Sequence, residues 1–356
     1  MAALALAGLA LLLAPGRPQA AGDLVLYNWA DYFPPDALKR FETETGIHVT
    51  TYTYDSNETL LAAIEEGSGN YDVVVPMDYM IRIMIEKGLL QPVDVAGMPG
   101  FAKVRQPFDR PWFDEQRRYA APNMWGTTGF AYDAAQVDGR LEESWKEFFE
   151  PRPALAGKVV ALDDEQEVYH AAAYYLGIDP CTESPDQAQR ILDLLQAQKP
   201  KLAFYSSGPS DGTSSDVWAA GLIGSGKVLL AQAWDGDARK LRPRLPGLVF
   251  VTPVEGSSLW QDGYVVPVGA PHPENARIFL NWVMAPRNIA EVSSFSGYTN
   301  AIAGSEAYMQ GALAEAERDS LSPEMVKRLR PVRACSQAAR DLADRVWSRL
   351  WPRNVR

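Results

Sequence analysis

The sequence predicts an α/β protein with two domains, and two observations support that prediction. Between residues 24 and 90, segments with the pattern of strands alternate with segments with the pattern of helices. This order is typical of a parallel sheet with helices on its faces. The chain has 356 residues, which is more than one hydrophobic core usually serves. Because no long Gly/Ser linker divides the chain, we expect ordered crossings between the domains.

The alternation begins at the apolar run Leu24–Leu26, which predicts a buried strand. The next segment has apolar residues one helical turn apart and ends at Gly46, a residue favoured after helix C-termini. A strand of alternating polarity follows, and then a helix that Asp55 or Ser56 caps. β-Branched residues stopped by Pro76 predict the third strand. The predicted strands are 24–26, 46–54 and 71–76, and the predicted helices are 35–44, 55–69 and 79–88.

Six further elements are predicted later in the chain, from residue 159 onward. Short apolar runs rich in β-branched residues indicate strands, and longer stretches with helical periodicity indicate helices. The predicted strands are Val159–Leu162, Lys227–Ala231, Leu248–Pro253 and Tyr264–Val268, and the predicted helices are Asn275–Met284 and Ala338–Trp351.

Residues 1–21 have features of a signal peptide. The apolar stretch Ala2–Ala14 has the length of a signal-peptide core and is too short to span a bilayer. Ala20 and Ala21 supply small residues for cleavage, although no basic residue precedes the apolar stretch. We expect the chain to be exported and cut after Ala21.

The protein is acidic, with a formal net charge of −11. Removal of residues 1–21 would take away Arg17 and change the charge to −12. Such a chain repels nucleic acid and anionic membrane surfaces and attracts cations. The charge therefore argues against nucleic-acid binding and is compatible with a cationic ligand.

Cysteine and histidine are scarce. Cys181 and Cys335 could pair in an exported protein, but their spacing does not say whether they meet. His48, His170 and His272 are scattered without the spacing of metal ligands. We predict no metal and no other cofactor.

Five segments near predicted strand ends carry carboxylates, and four of them also carry aromatic side chains. Ligands of open α/β sheets bind outside the carboxyl ends of the strands, so these segments are candidates for one site. The segments contain Trp29, Asp31 and Tyr32; Met77, Asp78 and Tyr79; Asp163 and Asp164; Trp234, Asp235 and Asp237; and Trp260 and Asp262.

Carboxylates beside aromatic rings fit an organic cation with an apolar body. A buried ammonium group needs negative partners, and aromatic rings provide apolar walls and cation–π attraction. A linear diamine or polyamine has charged ends and an apolar middle. Sugars also stack on Trp and hydrogen-bond to Asp, and two carboxylates flanked by aromatics are the minimal equipment of a glycoside hydrolase. These residues alone leave the three possibilities open.

Long motifs resemble those of the periplasmic polyamine-binding proteins, the putrescine and spermidine receptors of ABC importers among the extracellular solute-binding proteins. The segments LYNWADYFPPDALKRFETETGIHV and YDSNETLLAAIEEGSGNYDVVVP match in order and spacing, and MWGTTGFAYD, LDDEQEV, AWDGDA, WQDGYVVP and SGYTNA resemble later family segments. The resemblance covers about residues 24–303 and continues more weakly to the end.

The resemblance implies a two-lobe periplasmic-binding-protein fold in which each lobe is a mostly parallel sheet flanked by helices, with hinge strands between the lobes. Lobe 1 would comprise 22–126 plus 261–303, and lobe 2 would comprise 127–260 plus 304–356. The implied protein is a monomeric periplasmic receptor rather than an enzyme. It would capture a small-molecule polyamine and deliver it to the permease subunits of an ABC transporter in the membrane.

The family's ligand contacts can be assigned by position. The resemblance implies that Asp31 holds one amine, and that Asp237, an acid typical of putrescine receptors, favours putrescine over spermidine. Met77 stands where many members have serine, which leaves a different amine or a sugar-like ligand as an alternative. The implied ligand-binding residues are Trp29, Asp31, Tyr32, Tyr79, Asp164, Glu167, Trp234, Asp237, Trp260, Asp262 and Tyr298.

Some of these residues also have purely structural interpretations. Asp31 could cap the helix that begins near Pro34 and Pro35, because Asp is favoured at that position. Asp164 and Glu167 could be an acidic helix start that complements the helix dipole. The tryptophans could simply belong to the core.

Overall fold

The computed structural model describes residues 22–67, 70–206, 223–309, 311, 313–314 and 322–351. The predicted signal peptide, residues 1–21, lies outside the described residues. Within these ranges, no helix is both long enough and apolar enough to cross a bilayer.

The described chain alternates strands and helices as the sequence predicts. The strands are β1 Gly22–Trp29, β2 Ile47–Tyr54, β3 Val73–Val74, β4 Ala121–Asp133, β5 Val159–Leu162, β6 Leu202–Ser206, β7 Leu230–Trp234, β8 Leu248–Val251, β9 Ser257–Tyr264, β10 Thr299–Asn300 and β11 Leu329–Pro331. The helices are α1 Pro35–Thr45, α2 Asn57–Glu65, α3 Asp78–Glu86, α4 Lys146–Phe149, α5 Glu165–Tyr175, α6 Pro185–Gln198, α7 Asp235–Leu241, α8 Pro273–Val283, α9 Pro286–Ser296, α10 Pro323–Arg328 and α11 Gln337–Leu350.

The first sheet has three parallel strands in the order β2-β1-β3. The local sequence fixes its helices. Gly46 follows α1 with φ of 76°, a left-handed conformation that glycine adopts without a steric cost. The Ser56 hydroxyl accepts a hydrogen bond from the Thr59 backbone N–H at 3.1 Å and caps α2. The predicted strand–helix order of this region is therefore confirmed.

The second sheet has eight strands and is mixed rather than wholly parallel. Its main path is β11-β9-β4-β7-β5-β6. The 13-residue strand β4 is buried along its whole length and is antiparallel to β7, β8, β9 and β10. The pairs β5–β6, β5–β7 and β9–β11 are parallel.

Strands β4 and β9 connect two hydrophobic cores. Ala121 and Met124 of β4 belong to the core around the first sheet, whereas Phe130 and Tyr132 belong to the core of the second. Past the end of β9, Val265 forms an antiparallel bridge with the first sheet. The two cores are therefore joined by ordered strands, as the lack of a flexible linker led us to expect.

Two strand predictions are displaced along the chain. Leu230–Trp234 is the observed strand where Lys227–Ala231 was predicted, and Ser257–Tyr264 is the observed strand where Tyr264–Val268 was predicted. Both segments are largely buried, so neither shows the polar–apolar alternation that sets a strand's limits from sequence.

The two cysteines form a disulfide that joins the loop before α6 to the segment before α11. Cys181 and Cys335 are 154 residues apart in sequence, and their Cα atoms lie 5.1 Å apart. The sequence left this pairing open. A cross-link that closes so long a loop restricts the unfolded chain strongly.

We predict that the double substitution Cys181→Ser and Cys335→Ser lowers the free energy of unfolding by about 2–5 kcal/mol, because the unfolded chain regains loop entropy. Urea unfolding followed by circular dichroism measures the change. The unreduced parent protein is the reference, and reduction of the parent should reproduce the loss. Equal urea midpoints for parent and variant would contradict the prediction.

Candidate functional site

Most of the predicted ligand-binding residues line one cavity of about 140 Å³. Its lining comes from both halves of the chain, and the volume is enough for several water molecules or a small organic molecule. The predicted residues that line it are Trp29, Asp31, Tyr32, Asp164, Glu167, Trp234, Asp237, Trp260, Asp262 and Tyr298. Ligand contact by each of them remains a prediction.

One side of the cavity lies at the carboxyl ends of β1 and β2. These strands are parallel with Trp29 opposite Tyr54, so their ends meet at one edge. The Trp29 Nε1–H and the Tyr54 hydroxyl both donate to the Val75 carbonyl, at 2.9 and 2.6 Å. Asp31 follows in the left-handed region, at φ of 51°, with its side chain exposed. Tyr54 and Asp55 also line the cavity. They were missed, although the strand-end argument applies equally to β2.

The second half of the chain contributes residues that follow β5 and β7. These strands are parallel neighbours, so their carboxyl ends lie side by side. Glu167 lies in the first turn of α5 after β5, and Trp234 is the last residue of β7. Asp237 lies in the first turn of α7.

The two helix-cap interpretations have different outcomes. Pro34, rather than Asp31, occupies the N-cap position of α1, and no side chain makes a capping hydrogen bond there. Asp164 does cap a helix, because its carboxylate accepts from the Glu167 backbone N–H at 3.0 Å. This cap turns the first residues of α5 toward the cavity that Asp164 also lines.

Trp260 and Asp262 are placed differently from the prediction. They lie inside β9 rather than at a strand end. Asp262 forms an antiparallel bridge with Met77, and both residues line the cavity. The strand therefore brings Asp262 to the cavity from its middle, where β9 passes from one core to the other.

Aromatic rings wall the buried part of the cavity and depend on two glycines. The ring centroids of Trp260 and Tyr298 are 5.0 Å apart, in a T-shaped arrangement, and those of Tyr32 and Tyr298 are 5.8 Å apart. A Cβ on Gly126 would lie 2.4 Å from the Trp260 ring, and one on Gly236 would lie 2.2 Å from the Tyr298 ring. Only glycine leaves space for the rings at these two backbone positions.

Asp262 is a buried acid without a cationic partner in the described part of the chain. Its Oδ2 accepts a hydrogen bond from the Tyr32 hydroxyl, and its buried Oδ1 has no hydrogen-bond partner among the described residues. Burial raises the pKa of Asp262 to about 8, although the Tyr32 hydrogen bond acts in the opposite direction. The group is therefore largely protonated at neutral pH in the empty cavity.

Glu167 and Asp164 form a second acidic group. Burial raises the pKa of Glu167, and the charge of Asp164 raises it further. The hydroxyls of Thr128 and Ser258 partly oppose this shift, but Oε2 of Glu167 is buried with no hydrogen-bond partner among the described residues. Burial also raises the pKa of Asp164. A cation between them would supply the missing partner.

Asp237 and Lys240 lie one helical turn apart on α7. The pKa of Asp237 is raised to about 6, and burial is the largest cause. The charge of Asp31 also raises this pKa, whereas the charge of Lys240 and the hydrogen bond from the Tyr298 hydroxyl lower it. Within the described residues, Lys240 is the only basic residue that lines the cavity. It was missed, although its spacing from Asp237 places the two on one helix face.

Tyr79 does not line the cavity, unlike the other predicted residues. Tyr79 belongs to α3 and its side chain is buried. Its hydroxyl donates a hydrogen bond to Glu58 Oε1 at 3.0 Å. Ligand contact by Tyr79 stays a prediction that this placement does not support. Met77, which precedes α3, does line the cavity.

Two cores joined by shared strands, with an acidic and aromatic cavity lined from both, define a two-lobe ligand-binding protein. A family model described as bacterial extracellular solute-binding protein matches residues 36–319, and the chain belongs to this family. It is a solute-binding protein rather than an enzyme, which removes the glycoside hydrolase alternative.

Named relatives and a solved structure agree with this assignment. The spermidine/putrescine-binding periplasmic protein of Escherichia coli K12 is 30% identical over 83% of this chain and 82% of its own length. The putrescine/agmatine-binding protein of Pseudomonas aeruginosa is 30% identical over 91% and 90%. The spermidine/putrescine ABC transporter substrate-binding protein PotD of Streptococcus pneumoniae has a TM-score of 0.77 at 25% identity, covering 93% of this chain and 98% of its own. The two-lobe α/β fold is thereby confirmed.

We predict that the free energy of unfolding of the ligand-free protein falls as the pH rises from about 4 to about 8. The folded-state pKa of Asp262, about 8, is above its value in the unfolded chain. Its stabilising contribution is therefore complete below about pH 4 and is lost as the pH rises through about 8. Urea unfolding across this range measures the slope.

Asp262→Asn, which cannot ionise, should show a shallower loss of stability with pH. Asp36→Asn is the matched control, because Asp36 is an exposed acid at the start of α1, and it should keep the parental slope. Identical slopes for parent and Asp262→Asn would contradict the role given to Asp262.

Proposed function

We propose that this protein is the periplasmic receptor of an ABC importer and that it captures a linear polyamine, with putrescine favoured over spermidine, in the cleft between its lobes. The receptor delivers the ligand to the membrane permease as a monomer. Export with cleavage after Ala21 and the lobe boundaries 22–126 plus 261–303 and 127–260 plus 304–356 are part of this proposal.

The observation that carries the proposal is the charge of the cavity. Six acids and one base line it: Asp31, Asp55, Asp164, Glu167, Asp237 and Asp262, with Lys240. Buried carboxylate oxygens without partners are costly, and an ammonium group supplies both charge and hydrogen-bond donors. A neutral sugar would leave these acids without a cationic partner. The names of the relatives support the same ligand class.

A putrescine molecule offers two ammonium groups for acids on opposite sides of the cavity. The aromatic walls cover the methylene chain between them, since Trp260 and Tyr298 present large apolar faces. Asp237 supports the preference for putrescine because it adds an acid at the end where Lys240 lies. A third ammonium group extending past Asp237 would approach Lys240 and be repelled.

Isothermal titration calorimetry on mature protein stripped of ligand tests the proposal. We expect one-to-one binding of putrescine, tighter than the binding of spermidine or cadaverine, and no binding of neutral sugars. Asp237→Asn should lower the affinity for putrescine at least about tenfold, which is the loss expected for one charge-assisted contact. The same substitution should lower the affinity for spermidine less.

Asp163→Asn is the matched control for this titration, because Asp163 is an exposed neighbouring acid that does not line the cavity. It should leave both affinities unchanged. Tighter binding of spermidine would contradict the role of Asp237 while keeping the receptor, and the absence of binding by every amine would contradict the polyamine proposal.

Trp260→Ala should lower the affinities for putrescine, cadaverine and spermidine by a similar factor of about ten or more, because stacking on methylene groups does not depend on chain length. Calorimetric titration of the three amines measures the change, and a thermal melt checks the fold because Trp260 is buried. Trp112→Ala removes a tryptophan outside the cavity lining and serves as the control. A lower affinity for only one of the three amines would instead make Trp260 a specificity residue.

A further inference from the structure

A second cavity of about 420 Å³ lies apart from the polyamine cleft. Its lining includes His170 and Tyr174 of α5, Glu255 before β9, and Arg330 and Arg333 at and after β11. None of these residues lines the first cavity. No sequence pattern predicts this cavity, because its residues come from distant parts of the chain.

The rim of the second cavity is cross-linked in three ways. The disulfide between Cys181 and Cys335 joins the loop after α5 to the segment after β11. Arg333 donates to both carboxylate oxygens of Asp179 at 3.0 Å. The Ser336 hydroxyl donates to Glu183 at 2.6 Å. Such a rim is held in place before any ligand arrives, which lowers the entropic cost of binding.

The acids at this cavity are already engaged by the protein. Glu255 accepts from the Ser144 hydroxyl and from the Trp145 backbone N–H. Asp179 accepts from the Cys181 backbone N–H at 2.9 Å as well as from Arg333. Their charges therefore have partners within their own part of the fold.

The basic groups retain free hydrogen-bonding capacity. Arg330 uses one terminal nitrogen for the Lys327 and Leu329 carbonyls and forms no ion pair with any described carboxylate. Arg333 bonds Asp179 through one terminal nitrogen only. A guanidinium group has five N–H donors in a planar fork that matches a carboxylate or phosphate group, so both side chains have donors to spare.

His170 adds a buried polar group that the protein leaves unpaired. Its side chain lines the cavity at 6% exposure, and Nδ1 has no hydrogen-bond partner among the described residues. Burial lowers the pKa of His170 to about 4, with Arg333 acting in the same direction and Asp179 opposing it. An oxyanion beside the ring would stabilise its protonated form.

We propose that the second cavity binds a small organic anion whose carboxylate or phosphate oxygens accept hydrogen bonds from Arg330 and Arg333. His170 and Tyr174 form the inner wall. The cavity volume of about 420 Å³ leaves space for a carbon skeleton as well as for one oxyanion. The two cavities would therefore take ligands of opposite charge.

Calorimetric titration of the whole mature protein with citrate, succinate and inorganic phosphate tests this site. We expect one-to-one binding of citrate or succinate, and the binding should persist when the protein is saturated with putrescine. Arg330→Gln should weaken it at least about tenfold, because one bidentate contact is lost. Arg330 is exposed, so the variant should fold normally, and a thermal melt checks this.

Arg345→Gln is the matched control, since it removes the same charge from an exposed position of α11 outside the cavity lining. Absence of binding by all three anions at millimolar concentration would overturn the proposal. So would equal weakening by Arg345→Gln, displacement of citrate by putrescine, or binding of phosphate alone. The anion titration does not depend on whether putrescine binds, so the two proposals can fail separately.

Discussion

The cavity lined from both lobes contains buried carboxyl groups without cationic partners, and the free-energy cost of burying them is the main physical constraint on this site. Asp262 and Glu167 each have a buried oxygen with no hydrogen-bond partner among the described residues, and burial raises the pKa of both groups. A protein can keep such groups by protonating them or by binding a cation. Under the proposed function, an ammonium ligand would displace the protons that burial favours on these groups, so polyamine binding would be coupled to proton release.

The crossing strands β4 and β9 bring that charge into one place. β4 pairs with four strands and contributes to both cores, so its position is fixed from both sides. β9 lies beside it and carries Trp260 and Asp262 into the cavity. Gly126 of β4 leaves the space that the Trp260 ring occupies. The buried end of the site is therefore held by the backbone that joins the lobes, rather than by mobile loops.

The sequence predicted the parts of this arrangement that depend on local pattern. A continuous apolar run located β1, alternating polarity located β2, and helical periodicity with capping residues located their helices. The strand-end argument found Trp29 and Asp31 because parallel strands end at a common edge. Strand β4 was missed because it is buried on both faces and has glycines in its interior, which removes the alternating signal. The pairing of the two cysteines was left open and Lys240 was missed for another reason. Their importance depends on which distant segments meet, and no local pattern records that.

The same charges give a physical basis for closure of the two lobes around the ligand. A ligand shifts an equilibrium only by as much as it prefers one state. Asp31 follows a strand of the first sheet, whereas Glu167 and Asp237 lie in helices that follow strands of the second sheet. In their ionised forms these acids repel one another across a cleft without ligand, and this repulsion opposes closure. Under the proposed function, a diamine that bridges these acids would reverse the sign of that interaction, so the groups proposed to provide affinity would also favour the closed form that a permease would recognise.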